Sequence, residues 1–192
     1  MAPRQKHRQP VIDAAVTLFR RKGYAATGLN DIVDDSGAPK GSLYHYFPEG
    51  KSSIAAAAVE EAGARVERTL LELSRSSRSA EELIRGHAQL LSKWMKQSGY
   101  KDGCPMTTVL LELAPEDRAV TGAGKQAYAA RNQIICHRLT EDGIEEEVAT
   151  RIASVCTSAI QGALVEARIQ RSARPLEVAA DELSKLIRSY LD

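Results

Sequence analysis

The apolar residues of this chain recur every three or four positions, which predicts α-helices along its whole length. The first helix shows the pattern at Val11, Ala14, Ala15, Leu18 and Phe19. Pro10 fits only a first turn, so this helix begins near residues 8–10 and leaves a basic arm before it, while Gly23 ends it. No series of strands is predicted, so we expect an all-α protein.

The same apolar pattern, together with the helix-capping and helix-breaking residues, predicts the positions of the later helices. Ser79 and Glu82 form a capping box for a helix that ends at Gly99. Other helices are expected at about residues 52–74, 105–113, 115–140, 145–170 and 175–191. Gly122 and Gly124 weaken the first part of the 115–140 helix. No low-complexity linker separates the helices, so the long helix from residue 52 joins the N-terminal region directly to the rest.

Residues 27–51 predict two short helices joined by a tight turn. Thr27 is expected to cap the first helix, Gly37 can take the left-handed conformation of the turn, and Pro39 suits the first turn of the second helix. The apolar residues that can lock the two helices together are Ile32, Val33, Leu43 and Phe47. This layout is typical of a helix-turn-helix whose second helix enters the major groove of DNA. On spacing alone, an ordinary pair of core helices fits equally well.

The side chains of the second short helix favour DNA binding. Tyr44, His45 and Tyr46 cannot all face one core on a helix that turns 100° per residue, so at least one faces outward. Tyr46 and Phe47 are expected in the core. Phosphates can be taken by groups at the flanking helix N-termini, and Gly41 allows a close approach to DNA. The candidate DNA-binding residues are Thr27, Pro39, Lys40, Gly41, Ser42, Tyr44, His45 and Lys51.

This segment resembles the DNA-binding domain of the TetR family of bacterial repressors. The matching residues are Thr27, Asp31-Ile32-Val33, Ser36-Gly37-Ala38-Pro39, Gly41, Tyr44, Tyr46-Phe47 and Lys51. The run SGAPKGSLYH, together with GCPMTTVLLELAPED at residues 103–117, is similar to the LmrA/YxaF-like branch. The resemblance implies that Thr27, Tyr44 and Lys51 contact the DNA backbone, while Lys40 and His45 read bases. For Thr27, simple helix capping is the alternative.

Charge is unevenly distributed along the 192 residues, whose formal net charge is +1. Residues 1–51 hold eight Lys/Arg and five Asp/Glu, whereas residues 52–192 hold 18 and 20. This asymmetry suits a DNA-binding domain at 1–51, followed by a near-neutral effector-binding and dimerisation domain at 52–192.

The second domain offers candidates for an effector cavity within residues 83–139. They are His87, Leu91, Trp94, Met95, Met106, Leu110, Tyr128 and Ile135. Each one alone fits a structural core, but together the flat rings and thioethers suit a hydrophobic or aromatic effector. The breaks at Gly99, Gly103, Pro105 and Pro115 would let the short helices between them shift.

The last two predicted helices are expected to pair with their copies across a two-fold axis. Small residues permit close helix approach, and an apolar stripe runs from Leu176 to Tyr190. The candidate dimer residues are Ile152, Val155, Ala159, Gly162, Ala163, Leu183 and Ile187. An isologous contact fits the symmetry of a palindromic operator.

Other function classes have little support. The chain has no G-x-S-x-G, no H-E-x-x-H and no Gly-rich phosphate loop, so we expect no enzyme and no cofactor. Three separated cysteines predict neither a zinc site nor a disulfide framework, although Cys104 could serve as a redox sensor. The acids between Glu141 and Glu147 suggest solvated helix ends rather than a metal site. No apolar stretch of 18 residues and no signal peptide is found, which predicts a cytoplasmic protein without a membrane span.

These features lead to one functional hypothesis and two rivals. The hypothesis is a homodimeric transcriptional repressor that binds a near-palindromic operator on double-stranded DNA and is released by a small-molecule effector. A ligand-independent or activating regulator is the first alternative. An all-α scaffold, in which the two short helices bind protein, is the second.

Overall fold

The computed structural model describes residues 6–191, which form nine helices and contain no strand. The helices are α1 (Arg8–Lys22), α2 (Leu29–Ser36), α3 (Lys40–Tyr46), α4 (Lys51–Ser76), α5 (Ala80–Gln97), α6 (Pro105–Leu113), α7 (Arg118–Glu141), α8 (Glu146–Gln170) and α9 (Arg174–Arg188). The all-α prediction is confirmed. Residues 1–5, which hold most of the predicted basic arm, lie outside the described residues with residue 192.

The starts of three helices can be compared with the starts predicted from the sequence. The predicted capping box of α5 is half right: Ser79 Oγ accepts the Glu82 N–H at 3.2 Å, but the Glu82 carboxylate accepts the N–H of Arg78. The prediction that α7 starts at Pro115 was wrong. Asp117 Oδ1 accepts the Val120 N–H at 3.0 Å and caps a helix that begins at Arg118. In α9 the helix begins one residue before the predicted Pro175.

The chain forms two compact units, and they differ from the predicted division at residue 51. The first comprises Met1–Ala64 and Cys104–Ala127, and the second comprises Arg65–Gly103 and Tyr128–Asp192. The first unit therefore combines α1–α3 with the first half of α4, all of α6 and the start of α7.

In the first unit, α1 packs against α2, α3 and α6. The buried apolar side chains of this unit include Val11, Ala15, Phe19, Ile32, Leu43, Phe47 and Ile54. Two helical glycines provide room for neighbours: a Cβ on Gly63 would lie 2.6 Å from Ala127 Cβ, and one on Gly124 would lie 2.5 Å from Leu110 Cδ2. Gly124 thus makes space for the α6 side chain, a role that helix propensity alone did not suggest.

In the second unit, α5 packs against α8 and α9, and α8 packs against α9. Polar bonds also join its elements. Arg85 Nη1 on α5 donates to Asp181 Oδ1 on α9 at 2.6 Å, and the Ala80 N–H donates to the Asp142 carboxylate at 2.5 Å. These bonds tie the N-terminal part of α5 to α9 and to the residue that follows α7.

Helix α8 is long and apolar enough, by length and composition, to cross a membrane, which differs from the sequence-based expectation. It is the one such helix among residues 6–191. Its inner face is buried against α5 and α9, and a core helix of a globular domain passes the same test.

Candidate nucleic-acid interface

Helix α3 places one residue in the core and turns a polar face outward. Leu43 is buried, whereas Lys40, Gly41 and His45 are exposed and 51% of Tyr44 is exposed. The expectation that the Tyr44–Tyr46 run includes outward-facing side chains is confirmed. The outer face of α3 therefore presents an ammonium, a phenol and an imidazole. These groups can bond to base edges and phosphates.

The turn before α3 fixes the direction of this face. Gly37 adopts φ 62° and ψ 12°, the left-handed conformation that the sequence predicted. Ser36 Oγ accepts the N–H of Ala38 at 3.2 Å, and Ala38 is buried. Pro39 then forms the N-cap of α3 with φ −58°. A Cβ on Gly41 would meet no atom within 4 Å, so the helix backbone is open to an approaching ligand at that point.

Thr27 has a different role from the one predicted. The N-cap of α2 is Gly28, whose N–H donates to Asp31 Oδ2 at 3.0 Å. Thr27 is buried, and its hydroxyl donates to the Gly23 carbonyl at 2.7 Å. The capping prediction for Thr27 was therefore wrong, because α2 begins after Gly28 and the Thr27 hydroxyl bonds back to Gly23 rather than to the first turn of α2. Thr27 closes the loop between α1 and α2, and its hydroxyl does not face solvent where a phosphate could bind.

Asp31 is held in its ionised form by the same arrangement. The backbone bond from Gly28 is the main cause that lowers the pKa of Asp31, and the nearby charge of Lys22 adds to it. Lys22 Nζ lies 3.7 Å from Asp31 Oδ2. The carboxylate thus caps α2 and pairs with the end of α1.

Lys51 is the first residue of α4 and lies against the loop between α1 and α2. Its Nζ is 4.1 Å from the centre of the Tyr24 ring and 3.4 Å from the Ala25 carbonyl oxygen. Burial lowers the pKa of Lys51, while the charges of Glu112 and Asp31 oppose that shift. The ammonium is therefore oriented by a cation–π contact before any DNA is present.

A second contact on this loop was not predicted from the sequence. Glu112, on α6, accepts the Tyr24 N–H at 2.7 Å and the Ala25 N–H at 2.6 Å. The two partners are separated from Glu112 by 88 and 87 residues. Nothing in the local pattern of α6 distinguishes this glutamate from a solvated surface acid.

The predicted effector residues divide between the two units. Met106 and Leu110 belong to the first unit, and the other six belong to the second. Within the second unit, the buried members are His87, Leu91, Met95 and Ile135. Tyr128 is half-buried, but 46% of Trp94 is exposed. Trp94 therefore lies at the surface of α5 rather than in the interior.

Arg131 is a buried charged residue that the sequence analysis missed. It lies on α7 and is as fully buried as His87. Burial, together with the positive charge of Arg131, lowers the pKa of His87 to about 3. The His87 imidazole is therefore neutral at physiological pH. Polar pairs also link α7 with α8, since Thr157 Oγ1 donates to Asn132 Oδ1 at 2.6 Å.

Comparison with known proteins separates the chain into two matched regions. Residues 11–58 match the model described as "Bacterial regulatory proteins, tetR family". Residues 80–182 match "Transcriptional regulator LmrA/YxaF-like, C-terminal domain". The chain belongs to the TetR family. Its members are transcriptional regulators, and the resemblance inferred from the α2–α3 residues is confirmed.

Relatives match this TetR-family chain over nearly its full length. The HTH-type transcriptional regulator YxaF of Bacillus subtilis is 30% identical over 188 residues, which cover 98% of both chains. LmrA of the same organism is 28% identical and covers 88% of this chain and 90% of its own. A TetR transcriptional regulator from Legionella pneumophila shares the fold, with a TM-score of 0.82 at 18% identity over 93% and 96% of the two chains.

The predicted dimer residues of this TetR-family chain lie on two sides of α8 and α9. Within the single chain, Ile152, Ala163, Leu183 and Ile187 are buried. Ala159 is half-buried, whereas Val155 and Gly162 are exposed. An exposed stripe on α8 continues from these two residues with a spacing of three and four. We call it the α8 outer face: Val155, Ser158, Gly162, Val165 and Ile169.

The acids near the start of α8 have a structural role. The Glu145 carboxylate accepts the N–H groups of Glu147 and Val148 at 3.0 and 3.2 Å. These backbone bonds lower the pKa of Glu145. Among residues 6–191, no group of three or more His, Cys, Asp or Glu side chains could hold a metal ion.

Proposed function

We propose that this TetR-family regulator is a repressor that binds a near-palindromic operator as a homodimer and leaves it when a small hydrophobic or aromatic effector binds. The observation that carries the proposal is the exposed polar face of α3, with Lys40, Tyr44 and His45 on a short helix whose other side is locked by Leu43. A protein that acts on chromosomal DNA in this way works in the cytoplasm.

The DNA-binding roles follow from which groups are free to reach DNA. Lys40 and His45 are exposed on α3 and are assigned to base edges, since an ammonium donates to guanine and an imidazole can donate or accept. Tyr44 and Lys51 are assigned to phosphates. Pro39, Gly41 and Ser42 form the backbone surface that approaches the groove. Thr27 supports the loop from inside.

Dimerisation is assigned to the α8 outer face. Its residues repeat every three or four positions, which is the pattern of a helix that pairs with another helix. Val165 and Ile169 are large and exposed, while Ser158 and Gly162 are small enough for close approach. The contact would be isologous, as a two-fold operator requires. The buried Ile152, Leu183 and Ile187 stabilise the protomer instead.

The effector is assigned to the interior of the second unit, near α5 and α7. His87, Leu91, Met95 and Ile135 are buried there, and Tyr128 is half-buried. Because His87 is neutral, its imidazole offers one donor and one acceptor to an aromatic molecule that carries a hydroxyl group. To empty the operator, an effector must prefer the state that does not bind DNA by about 5.5 kcal/mol for a 1:99 to 99:1 reversal.

Selection from a random pool of double-stranded DNA tests the proposal. The wild-type dimer should enrich a duplex with two related half-sites, which we call the selected duplex. The centres of the half-sites should be separated by about one helical turn or a multiple of it. An all-α scaffold would enrich no sequence, and its binding would disappear as salt is raised. Expression of a reporter behind the selected duplex would separate a repressor from an activator.

Replacing Lys40 or His45 with Ala should weaken binding to the selected duplex and relax the preference at particular base pairs. A base-reading contact is worth about 1–3 kcal/mol of discrimination. The measurement is a titration of each variant with the selected duplex and with single-base variants of it. Lys93→Ala on α5 is the matched control, because Lys93 is an exposed lysine of the second unit. Wild-type preference in both α3 variants would contradict the groove assignment.

Replacing Lys51 with Ala should weaken binding to every duplex by a similar factor. A lysine that neutralises one phosphate contributes about one unit to the slope of log affinity against log salt concentration. The slope should therefore decrease by about one unit while the preference for the selected duplex is retained. An unchanged slope would remove Lys51 from the phosphate contacts.

A further inference from the structure

The loop between α1 and α2 (residues 23–28) is held from two sides within the first unit. On one side, the Glu112 carboxylate accepts the N–H groups of Tyr24 and Ala25 at 2.7 and 2.6 Å. On the other side, Lys51 Nζ lies over the Tyr24 ring at 4.1 Å and 3.4 Å from the Ala25 carbonyl oxygen. Three helices, α1, α4 and α6, therefore meet at this one loop.

The sequence around the loop leaves room for the carboxylate. Gly23 has φ 81°, a left-handed value that ordinary residues rarely adopt, and its N–H donates to the Phe19 carbonyl at the end of α1. A Cβ at Gly23 would lie 2.6 Å from Glu112 Oε1. The Tyr24 ring in turn contacts the Phe19 ring, with centres 5.7 Å apart. The position of Tyr24 is thus set by the core of α1 and by Glu112 together.

A carboxylate suits this position better than any other side chain of similar length. It accepts both N–H groups at once, and such charge-assisted bonds are about twice as strong as neutral ones. A glutamine in its place has one acceptor oxygen, and its NH₂ group would face the other N–H. A second tie acts nearby, because the Ser52 hydroxyl in the first turn of α4 donates to the Asp117 carboxylate.

Glu112 also belongs to the other matched region of the chain. Tyr24, Ala25 and Lys51 fall within residues 11–58, which match the tetR-family model. Glu112 falls within residues 80–182, which match the LmrA/YxaF-like C-terminal domain. Its two hydrogen bonds are therefore a direct link from the C-terminal region to the backbone of the DNA-binding region.

We propose that Glu112 is a positioning residue for DNA binding. Its carboxylate holds the loop between α1 and α2 in the arrangement that keeps Tyr24 beneath the Lys51 ammonium. This role rests on the proposed function, in which Lys51 contacts a phosphate. Without the carboxylate, two loop N–H groups lose their acceptors and the ring that orients Lys51 is no longer fixed. Movement of α6 would have the same consequence as loss of the side chain.

The direction of the change in DNA affinity distinguishes a positioning role of Glu112 from a purely electrostatic effect of its charge. Removing a negative charge near a phosphate contact should strengthen DNA binding if charge alone matters. A positioning role predicts the opposite. Glu112→Gln and Glu112→Ala should bind the selected duplex and a random duplex about tenfold more weakly than wild type, with the preference between the two retained and the salt slope reduced. Glu116→Gln, the same charge change at an exposed acid after α6, is the matched control and should not weaken binding.

Amide hydrogen exchange in the free protein tests the link without DNA. In both Glu112 variants the Tyr24 and Ala25 amides should exchange about tenfold faster or more than in wild type, whereas Glu116→Gln should leave them unchanged. Unchanged exchange in the Glu112 variants would overturn the proposal. Faster exchange with wild-type or stronger DNA binding would also overturn it. If wild type itself selects no DNA, the proposed function fails, and the exchange result still decides whether Glu112 holds the loop.

Discussion

Replacing Gly162 with Arg is expected to convert the proposed dimer into a folded monomer. Gly162 lies at the centre of the α8 outer face, and a Cβ there would meet no atom of its own chain within 4 Å. Arginine also has a higher helix propensity than glycine, by about 0.8 kcal/mol, so the protomer should be no less stable. In the dimer, two arginines would face each other near the two-fold axis, where their bulk and like charges oppose association.

The consequence for DNA binding should be large. A dimer engages its second half-site as an intramolecular step, which is worth about 100-fold or more in affinity. Gly162→Arg should therefore reduce affinity for the selected duplex by about that factor while leaving helix content unchanged. Sedimentation equilibrium and DNA titration measure the two effects. Gly122→Arg is the matched control, because Gly122 is also helical and open around its Cβ position. A dimeric Gly162→Arg protein with wild-type affinity would move the interface elsewhere.

Mild acid is expected to destabilise the protein through His87. The pKa of His87 is lowered to about 3 in the folded chain, first by burial and then by the charge of Arg131. The unfolded imidazole takes up a proton as the pH falls through about 6.5, but the folded one remains neutral. The contribution of His87 to the free energy of unfolding is thus fully present above pH 6.5. It is lost as the pH falls from 6.5 towards 3. Between pH 7 and pH 5 the loss should be about 2 kcal/mol.

Urea unfolding at pH 7 and pH 5, at fixed protein concentration, measures this loss. His87→Leu should remove most of the pH dependence in this range, whatever its own stability at pH 7. The carboxylates of Asp31, Asp117 and Asp181 have lowered pKa values and stay ionised at pH 5, so they contribute little there. His137→Gln is the control, because the His137 side chain is 72% exposed. Equal pH dependence in His87→Leu and wild type would show that His87 is protonated in the folded chain.

Local signals predicted much of the fold. Helix α6 begins and ends at the predicted residues, because a proline at its first position and the apolar run that follows act within the same segment. The left-handed Gly37 and the outward turn of α3 were also local properties. Predictions failed where more than one nearby residue could begin the helix. Helix α2 begins after Gly28, not after Thr27, and α7 begins after its cap Asp117, not at Pro115.

The burial and the long-range contacts of several site residues could not be predicted from the sequence. Helix periodicity marks Leu183 and Ile187 as apolar but does not distinguish burial within one chain from burial between two chains. Trp94 lies at the edge of the buried stripe of α5, so its exposure depends on which helices pack there. The contacts of Glu112 span more than 80 residues and depend on the folded arrangement of α1 and α6. No local pattern encodes them.

The most direct test of the central claim is the affinity of the wild-type protein for the selected duplex. It should be compared, at physiological salt, with the affinity for a duplex of the same composition whose half-sites are scrambled. A regulator that reads bases through α3 should prefer the selected duplex by about a thousandfold or more, with one dimer or a whole number of dimers bound. Equal affinity for the two duplexes, with binding lost as salt is raised, would contradict the assignment of α3 as a reader of DNA sequence.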